Sequence, residues 1–591
     1  MPPADQASTI FLTPEETARI ERNVRSRLRQ CKQRAGQPHV SQDALDLRRQ
    51  VIGASLMADI AGGSTESESI PVLTVGQVYP PCTRPLKALN VIKLPDLSLE
   101  THHRGSFLRL QRSLPVVTLR SRSWTVVEDV LSGESERLEV CLHKTRYAEE
   151  FLESTTEFVL KEPYLTLNDQ GESTLRVDHP SDLVAVDSQD GSGSESRADS
   201  ATEDDDGAHD DLEKEASVWK EKGNASLKER SYVDARASYT KGLVMLCNDT
   251  EARASKLYHD LHRNRAHVNL LLSRFEEAKD DALASIADNA EADQSKLDVK
   301  AYFRAGSAAY RLNQYDEAIK YIEKELQIEP SDKEASARLQ KTKRRTREAT
   351  TGIYDFSKIR ASLSRHYPRA DAASFLQTVE VKQSPGKGRG LFAKRTFEPG
   401  DLVMTEKAYC VVWAHECEDS WTSMTYDVRD DTMRVSPGGL CAAVVQKMRN
   451  NPGQAKKVLE LYSDYAGLGR EVHCTDGEAV VDTFQIHDIV SRNAFGPGEH
   501  FGQPRDSLHA STGLWIMAAY TNHSCMPNVE KVFVGDLLLL RATRNIAAGD
   551  ELYHSYVAGG SYKERRKALM TTWNFECDCK LCTRKSKSVK A

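Results

Sequence analysis

The sequence predicts an α+β protein of several domains, and three observations lead to this prediction. The chain has 591 residues and a mass of 66.0 kDa, more than one hydrophobic core usually serves. Its apolar residues change along the chain from helical spacing to short strand-like runs and back to helical spacing. An acidic stretch divides the two halves. We therefore expect four regions before residue 376: an N-terminal helical segment (1–65), a small β-domain (72–186), an acidic disordered linker (187–212) and a set of helical repeats (213–345).

The composition is that of an ordinary globular protein, with 39% hydrophobic and 28% charged residues. No apolar run approaches the roughly 18 residues of a membrane span. The first residues, MPPADQASTIF, lack the basic start and apolar segment of a secretory signal. We therefore expect a protein without a membrane span that stays inside the cell, in the nucleus, the cytoplasm or both.

The N-terminal region begins with a helix signal and continues into strand-like runs. Thr13, Pro14 and Glu16 fit a capping box with proline at the first helical position, and a second helix is expected after Ser41. Beyond Val72, short runs such as Trp124-Thr125-Val126-Val127 alternate with turn residues. A five-stranded barrel of the OB type is one candidate, but no basic and aromatic platform for nucleic acid accompanies it.

The segment from Asp187 to Asp211 holds ten acidic residues and one arginine. Such a composition buries too little apolar surface to offset the entropy of ordering, so a disordered, extended linker is expected. The net charge of −7 comes largely from this segment, and the rest of the chain is close to neutral. This balance argues against nucleic-acid binding.

The region from Ser217 to Lys343 repeats a pattern of small residues at helical spacing. Three units share spacings of 12 and 4 residues: Gly223, Ala235 and Tyr239; Ala266, Ala278 and Ala282; Gly306, Ala318 and Ile322. The pattern resembles the tetratricopeptide (TPR) repeat family, with repeat periods of 43 and 40 residues instead of the usual 34. The resemblance implies binding of protein partners. An ordinary helical bundle is the alternative.

The C-terminal third carries four motifs in order. Gly386-Lys387-Gly388-Arg389-Gly390-Leu391-Phe392 is followed by Asn522-His523-Ser524-Cys525-Met526-Pro527-Asn528, by Gly549-Asp550-Glu551-Leu552-Tyr553-His554-Ser555-Tyr556, and by a CxCxxC group. The cysteines of that group, Cys577, Cys579 and Cys582, have the spacing of metal ligands. Tetrahedral zinc needs a fourth ligand, for which Cys525 is the natural candidate.

These motifs together resemble a SET domain followed by its post-SET segment, as in the SET-MYND branch of lysine methyltransferases. The resemblance implies a mostly β, knotted SET domain over residues 376–575, with a helical insert at about 410–490. A post-SET zinc segment and basic tail would cover 576–591. No repeated CxxC pairs lie between Tyr409 and Ser491, so the MYND zinc finger of that branch is missing.

The resemblance also assigns roles to individual residues. It implies S-adenosylmethionine contacts by Lys387, Gly388, Arg389, Asn493, Asn522 and His523, with Phe575 near the adenine. It implies that Tyr556 is the catalytic tyrosine. Structural zinc would be bound by Cys525, Cys577, Cys579 and Cys582.

The expected activity is transfer of a methyl group from S-adenosylmethionine to a lysine of a histone or another protein. A lysine amine has a pKa of about 10.4 in water and must lose its proton before it attacks. A dry channel lowers that pKa, and a tyrosine hydroxyl can orient the amine without acting as a base. The alternative is a catalytically silent interaction scaffold or transcriptional regulator.

Overall fold

The computed structural model describes residues 14–61, 72–75, 78–119, 122–143, 145–147, 149–168, 170–186, 205–247, 253, 255–286, 292–416, 423–427, 432–498, 511–557 and 559–589. Helices and strands mix in several domains, so the predicted α+β multidomain class is confirmed. Within the described residues, no helix is both long and apolar enough to cross a membrane.

Two N-terminal helices pack against the β-domain that follows them: α1 (Pro14–Arg34) and α2 (Ala44–Ala61). Leu47 and Val51 of α2 share a small core with Trp124. Between the helices, His39 is hydrogen-bonded to the buried Glu136 over 3.0 Å. The helical segment is thus part of the β-domain's surface.

The β-domain is built on one ten-stranded sheet instead of a five-stranded OB barrel. The path β13-β10-β4-β6-β7-β12-β11-β3 is mostly antiparallel, with a parallel pairing of β12 and β7, and β2 and β5 join it at β4 and β6. The strands and the short helix of this region are β1 (Val72–Val75), β2 (Asn90–Val91), β3 (Thr101–His102), β4 (Ser106–Arg112), β5 (Val117–Thr118), β6 (Arg122–Asp129), β7 (Ser135–Cys141), β8 (Thr145–Arg146), β9 (Glu149–Glu150), α3 (Phe151–Ser154), β10 (Glu157–Lys161), β11 (Tyr164–Leu167), β12 (Ser173–Val177) and β13 (Leu183–Ala185).

Antiparallel helix pairs follow: α4 (Asp205–Lys228), α5 (Tyr232–Leu246), α6 (Lys256–Leu271), α7 (Phe275–Ala284), α8 (Ala292–Arg311), α9 (Tyr315–Ile328), α10 (Lys333–Thr351) and the short α11 (Phe356–Ser362). The predicted small residues lie where paired helices touch. A Cβ at Gly223 would lie 2.5 Å from the Tyr239 ring, and Ala266, Ala278 and Ala318 are fully buried. The linker prediction extends too far, because α4 begins at Asp205; residues 187–204 lie outside the described residues.

The C-terminal region contains many short strands around one large core that includes Trp413, Val444, Ile489 and Leu540. Its strands are β14 (Val379–Ser384), β15 (Gly388–Ala393), β16 (Leu402–Lys407), β17 (Cys410–Val412), β18 (Ser423–Asp427), β19 (Thr432–Ser436), β20 (His473–Thr475), β21 (Glu478–Val480), β22 (Thr512–Leu514), β23 (Asn522–His523), β24 (Val529–Val534), β25 (Leu537–Ala542) and β26 (Tyr553–His554). Its helices are α12 (Gly438–Asn450), α13 (Ala455–Leu459), α14 (Thr483–Asn493), α15 (Tyr562–Trp573) and α16 (Lys580–Val589).

The insert at 410–490 is not purely helical, which corrects the prediction. It holds α12, α13 and most of α14, but also β17, the antiparallel pair of β18 and β19, and a hairpin of β20 and β21. Asp476 and Gly477 join these strands with φ of 52° and 77°, the backbone geometry of a tight hairpin turn. The Asp-Gly pair was the available sequence signal for this hairpin.

The insert also contacts the helical repeats through two asparagines. Asn451 accepts hydrogen bonds from the N–H groups of Phe275 and Glu276 at 2.9 and 3.3 Å, and therefore caps α7 from another domain. Its amide also donates to Ser273, while Asn450 donates to Leu272, each over 3.0 Å. These bonds hold the insert on the turn between α6 and α7.

Arg274, in the same turn, connects three domains. Its buried guanidinium pairs with Glu277 of the repeats and with Glu478 of the insert hairpin, the latter over 3.2 Å. It also donates to the Tyr147 hydroxyl of the β-domain over 3.0 Å. The β-domain, the repeats and the C-terminal domain are therefore joined at one buried charge.

Candidate active site

Three motifs that are far apart in sequence meet through backbone pairing. Strand β23 pairs in parallel with β26, which places Asn522 opposite Tyr553 and His523 opposite His554. The Leu552 N–H donates to the Leu391 carbonyl of β15 over 2.7 Å. The glycine-rich strand, the NHSC segment and the final tyrosine strand therefore form one site.

Glu551 organises the base of this site. Its carboxylate accepts hydrogen bonds from the Asn522 amide at 2.7 Å, the Ser384 hydroxyl at 2.9 Å and the Tyr553 hydroxyl at 2.5 Å. A Cβ at Gly390 would lie 2.4 Å from the same carboxylate. Glu551 was not among the predicted site residues, although its position beside Leu552 and Tyr553 in a predicted strand was a usable signal.

Tyr556 is held by two hydrogen bonds to the NHSC segment. Its hydroxyl donates to the Thr521 carbonyl over 3.0 Å, and its N–H donates to Nδ1 of His523 over 3.0 Å. Burial, with a smaller contribution from the negative charge of Glu551, raises the pKa of the Tyr556 hydroxyl. The phenol therefore stays protonated near neutral pH, so it is available as a polar group and not as a base.

Aromatic rings surround Tyr556. The rings of His554, Trp573 and Phe575 lie 4.8, 5.0 and 6.3 Å from its own, measured between centroids. The Trp573 side chain is fixed by a hydrogen bond from its indole N–H to the Arg492 carbonyl at 3.2 Å. These rings form an apolar environment of the kind that disfavours a protonated amine through desolvation.

His523 lies between Tyr556 and the cysteines. Burial, together with the positive charges of Lys387 and Arg565, lowers the pKa of His523 to about 4. The ring is therefore neutral near pH 7 and carries one proton. Nδ1 accepts the Tyr556 N–H, so the proton is on Nε2, which lies 3.4 Å from Sγ of Cys525.

The four predicted zinc ligands come together. The sulfur atoms of Cys525, Cys577, Cys579 and Cys582 all lie within 4.8 Å of one another. Cys525 Sγ is 3.9 Å from that of Cys577 and 3.5 Å from that of Cys582. A tetrahedron of Zn–S bonds of about 2.3 Å has edges of roughly 3.8 Å, so the four thiols fit zinc in size and chemistry.

The remaining predicted cofactor residues lie around the same site. Lys387 forms an ion pair with Asp578 of the post-SET segment over 3.3 Å, so the glycine-rich turn contacts the cysteine-rich segment. Nothing lies within 4 Å of a Cβ at Gly386 or Gly388, which leaves open space beside this turn. Such an exposed turn fits a small-molecule ligand that contacts the backbone.

Two predicted residues point toward one loop of the insert. The Arg389 guanidinium donates to the Glu460 carbonyl, and the Asn493 amide donates to the carbonyls of Tyr462 at 2.9 Å and Ile489 at 2.7 Å. Both side chains therefore position the loop at 460–462 beside the glycine-rich strand. Phe575 lies 5.9 Å from the His523 ring.

A buried carboxylate that was not predicted, Glu406, binds the backbone shortly before the NHSC segment. Glu406 of β16 accepts hydrogen bonds from the N–H groups of Met517 and Ala518 at 2.8 and 2.9 Å. Burial raises the pKa of Glu406 to about 7. No sequence signal marked this residue, since its partners are backbone groups more than 100 positions away.

Comparison with known protein families agrees with this geometry. Residues 388–557 match the SET domain, and residues 299–332 match the tetratricopeptide repeat. The predicted combination of a SET domain and tetratricopeptide repeats is confirmed.

Named relatives support the same class. A protein called methyltransferase from Gibberella zeae is 29% identical over 91% of this chain and 74% of its own length. N-lysine methyltransferase SMYD2-A from Xenopus laevis is 32% identical over 35% of this chain and 61% of its own length. Histone-lysine N-methyltransferase SMYD3 from Mus musculus is 46% identical over 13% of this chain and 18% of its own length. The matches to these SMYD proteins cover less than two thirds of their length.

The helical repeats also match solved tetratricopeptide structures. The first such domain of Spaghetti (RPAP3), bound to the HSP90 peptide SRMEEVD, is 31% identical over 22% of this chain and 92% of that chain, with a TM-score of 0.18.

Proposed function

We propose that this chain, a SET-domain homologue of the lysine methyltransferases, transfers a methyl group from S-adenosylmethionine to a lysine ε-amine of a protein substrate, a histone or another client. The observation that carries the proposal is the position of Tyr556. Its hydroxyl donates to the Thr521 carbonyl, and aromatic rings surround it. A group so placed can orient an incoming amine.

The chemistry assigned to the chain is positioning and exclusion of water. S-adenosylmethionine supplies an activated methyl group on sulfur. The aromatic surroundings favour the neutral amine of the substrate lysine, whose proton leaves to solvent. The Tyr556 hydroxyl and the Thr521 carbonyl hold the amine in line, so that the new C–N bond forms as the C–S bond breaks. The bonding electrons leave with the sulfur, and S-adenosylhomocysteine is the second product.

Zinc has a structural role in this proposal. Four thiolates complete its coordination and leave no open position for a reactant. Bound there, zinc would hold the post-SET segment, with Asp578, beside the glycine-rich turn. The site then depends on zinc for its shape.

The test is transfer of labelled methyl from S-adenosylmethionine to histones and to a lysate protein pool. We expect label on lysine with the native chain, and a loss of roughly a hundredfold with Tyr556→Phe because the orienting hydroxyl is removed. Cys579→Ser should also suppress transfer and lower the bound zinc.

Tyr562→Phe and Cys474→Ser are the matched controls, since Tyr562 begins α15 and Cys474 is exposed on β20. Both should keep native activity. A native chain that binds the cofactor but labels no protein would refute the enzymatic proposal and favour an interaction scaffold.

We further propose that the helical repeats bind a protein partner through an acidic segment. Asn224 on α4 and Asn264 on α6 touch each other, with Asn264 donating to Asn224 over 3.2 Å. Arg304 on α8 donates to the Arg263 carbonyl over 2.8 Å. Burial and the neighbouring Arg263 charge lower the pKa of Arg304 to about 10, which indicates a cation that a carboxylate would stabilise.

Binding of an acidic peptide, measured by fluorescence polarisation, tests this partner surface. Arg304→Ala should weaken binding at least tenfold, and a peptide with its carboxylates amidated should not bind. Arg347→Ala, an exposed arginine on α10, is the control and should bind like the native chain. If Arg304→Ala and Arg347→Ala bind the acidic peptide with equal affinity, Arg304 is not part of the partner-binding surface.

A further inference from the structure

The imidazole of His523 connects two parts of the site that the proposed function treats separately. One part is the tyrosine that orients the substrate amine, and the other is the group of four thiols. His523 is the second residue of β23, and Cys525 follows it by two positions. Both ring nitrogens are within hydrogen-bond distance of a protein atom, Tyr556 N at 3.0 Å and Cys525 Sγ at 3.4 Å.

The direction of each hydrogen bond follows from the donor. A backbone N–H can only donate, so Nδ1 of His523 accepts from Tyr556. A nitrogen that accepts carries no proton, so the ring N–H is on Nε2, which lies 3.4 Å from Sγ of Cys525. A zinc-bound thiolate is a negatively charged acceptor, which makes this N–H···S bond charge-assisted.

We infer that His523 is a positioning residue that links the zinc site to Tyr556 by donating to the Cys525 thiolate while accepting from the Tyr556 backbone. Outer hydrogen bonds to metal ligands fix ligand orientation and metal affinity. Here the outer partner is attached to the chain segment that carries the catalytic tyrosine. Zinc occupancy and the position of Tyr556 are therefore coupled through one ring.

This coupling changes the role of His523. The resemblance to the SET domain implied a side-chain contact with S-adenosylmethionine. With both ring nitrogens bound to protein atoms, the ring has none left for the cofactor, and only the backbone of His523 remains available. The inference rests on the proposed methyl transfer at Tyr556, but the zinc bond can be tested without it.

Arg565 adds a second positive contact at the thiols. It lies on α15, and its side chain donates to the Gly560 carbonyl. Burial disfavours its positive charge, but the neighbouring thiols of Cys525 and Cys582 together outweigh burial and raise the pKa of Arg565. Four thiolates on one divalent cation carry a net charge of −2, so a nearby cation and an N–H donor both stabilise the bound state.

Two substitutions separate the two hydrogen bonds of His523. The amide oxygen of His523→Asn lies near the position of Nδ1 and can still accept from Tyr556, but no donor reaches Cys525. The amide of His523→Gln reaches the position of Nε2 and can donate to Cys525, but leaves the Tyr556 N–H without its acceptor. His554→Asn is the control, because His554 is a buried neighbour with its ring 4.8 Å from Tyr556 and forms no hydrogen bond to the four thiols among the described residues.

The first measurement is the rate at which full-length protein releases zinc to a chromogenic chelator. We expect His523→Asn to release zinc roughly tenfold to a hundredfold faster than the native chain. His523→Gln and His554→Asn should stay within about twofold of the native rate. The second measurement is the thiolate-to-cobalt charge-transfer band of cobalt-substituted protein, which should shift in His523→Asn only, because a lost N–H···S bond changes the energy of the sulfur electrons.

The third measurement is methyl transfer with zinc in excess. His523→Gln should lose roughly tenfold to a hundredfold in kcat while its zinc release stays native, since Tyr556 alone has lost its support. A native release rate and an unshifted cobalt band in His523→Asn would overturn the inference. If the native chain transfers no methyl group while His523→Asn still shows fast release and a shifted band, the zinc–histidine bond stands and the proposed enzymatic function fails.

Discussion

Gly390→Ala adds one methyl group beside Glu551 and tests whether this carboxylate organises the site. A Cβ there would lie 2.4 Å from Oε1 of Glu551 and 3.1 Å from the Asn522 amide nitrogen. Ordinary contact begins near 3.4 Å, so Gly390→Ala must displace the Glu551 carboxylate by about 1 Å. That carboxylate accepts hydrogen bonds from the Asn522 amide at 2.7 Å, the Ser384 hydroxyl at 2.9 Å and the Tyr553 hydroxyl at 2.5 Å.

The expected cost follows from those hydrogen bonds. A hydrogen bond to a charged group contributes about 1.5–3 kcal/mol, and a shift of this size breaks one or two of the three. A loss of roughly 2–5 kcal/mol corresponds to S-adenosylmethionine binding that is about thirtyfold weaker or worse. Titration calorimetry with S-adenosylmethionine measures this directly.

Gly400→Ala is the matched control, in the turn before β16 and outside the candidate site. No atom lies within 4 Å of a Cβ at Gly400, and its φ of 92° gives only the conformational strain of a left-handed residue, about 1–2 kcal/mol. It should lower stability slightly and leave cofactor affinity within a few-fold of native. If Gly390→Ala binds the cofactor as tightly as Gly400→Ala, Glu551 does not organise the site.

Three further predictions concern stability, each measured by urea denaturation. Burial raises the pKa of Asp182 from 3.8 to about 7. Between these two pH values the folded state keeps a proton that the unfolded state has released, so the free energy of unfolding falls as pH rises through this range. The free energy of unfolding of Asp182→Asn, relative to that of the native chain, should therefore rise by about 3 kcal/mol from pH 5 to pH 8. If the difference between the two proteins does not change with pH, the pKa of Asp182 is not raised. Arg274→Met removes one of the two arginines that pair with Glu277 and Glu478, leaves Arg236 as the other, and should cost roughly 1.5–3 kcal/mol, partly recovered by adding Glu478→Gln; an unchanged midpoint would show that the three-domain contact contributes nothing. Asn451→Ala removes the cap of α7 and should cost about 1–2 kcal/mol, whereas Asn451→Asp keeps the acceptor and should cost less; equal losses would exclude capping.

The contact between the insert and the repeats connects the proposed catalytic and partner-binding regions. Asn451 caps α7 and Arg274 reaches Glu478, so the turn between α6 and α7 lies directly on the insert that also carries the loop at 460–462. Arg389 and Asn493 both bind this loop. The repeats and the candidate active site therefore share one insert as their connection.

Local patterns were sufficient to predict the elements and motifs whose chemistry depends on neighbours in sequence. The small residues at spacings of 12 and 4 predicted close helix pairs because that spacing repeats within each unit. The CxCxxC group predicted a metal site because three thiols so close together in sequence can reach one ion. The β20–β21 hairpin was predictable in the same way, since Asp476-Gly477 is a recognised turn pair.

Long-range features lay beyond the sequence. Glu406 and Asn451 bind backbone N–H groups, which every residue except proline carries, so no side-chain pattern identifies their partners. The ten-stranded sheet depends on pairings such as β12 with β7, and strand propensity does not specify which strands become neighbours.

By itself the sequence determined the residue types that the site needs: four thiols, a histidine beside one of them, a glycine-rich turn and a late tyrosine. Only the tertiary structure decided that His523 lies between Cys525 and Tyr556, and that Glu551 holds Asn522 under Gly390. The physical reason is the directionality of hydrogen bonds. Composition and spacing state which donors and acceptors exist, but distances and angles set by distant strands decide which of them meet.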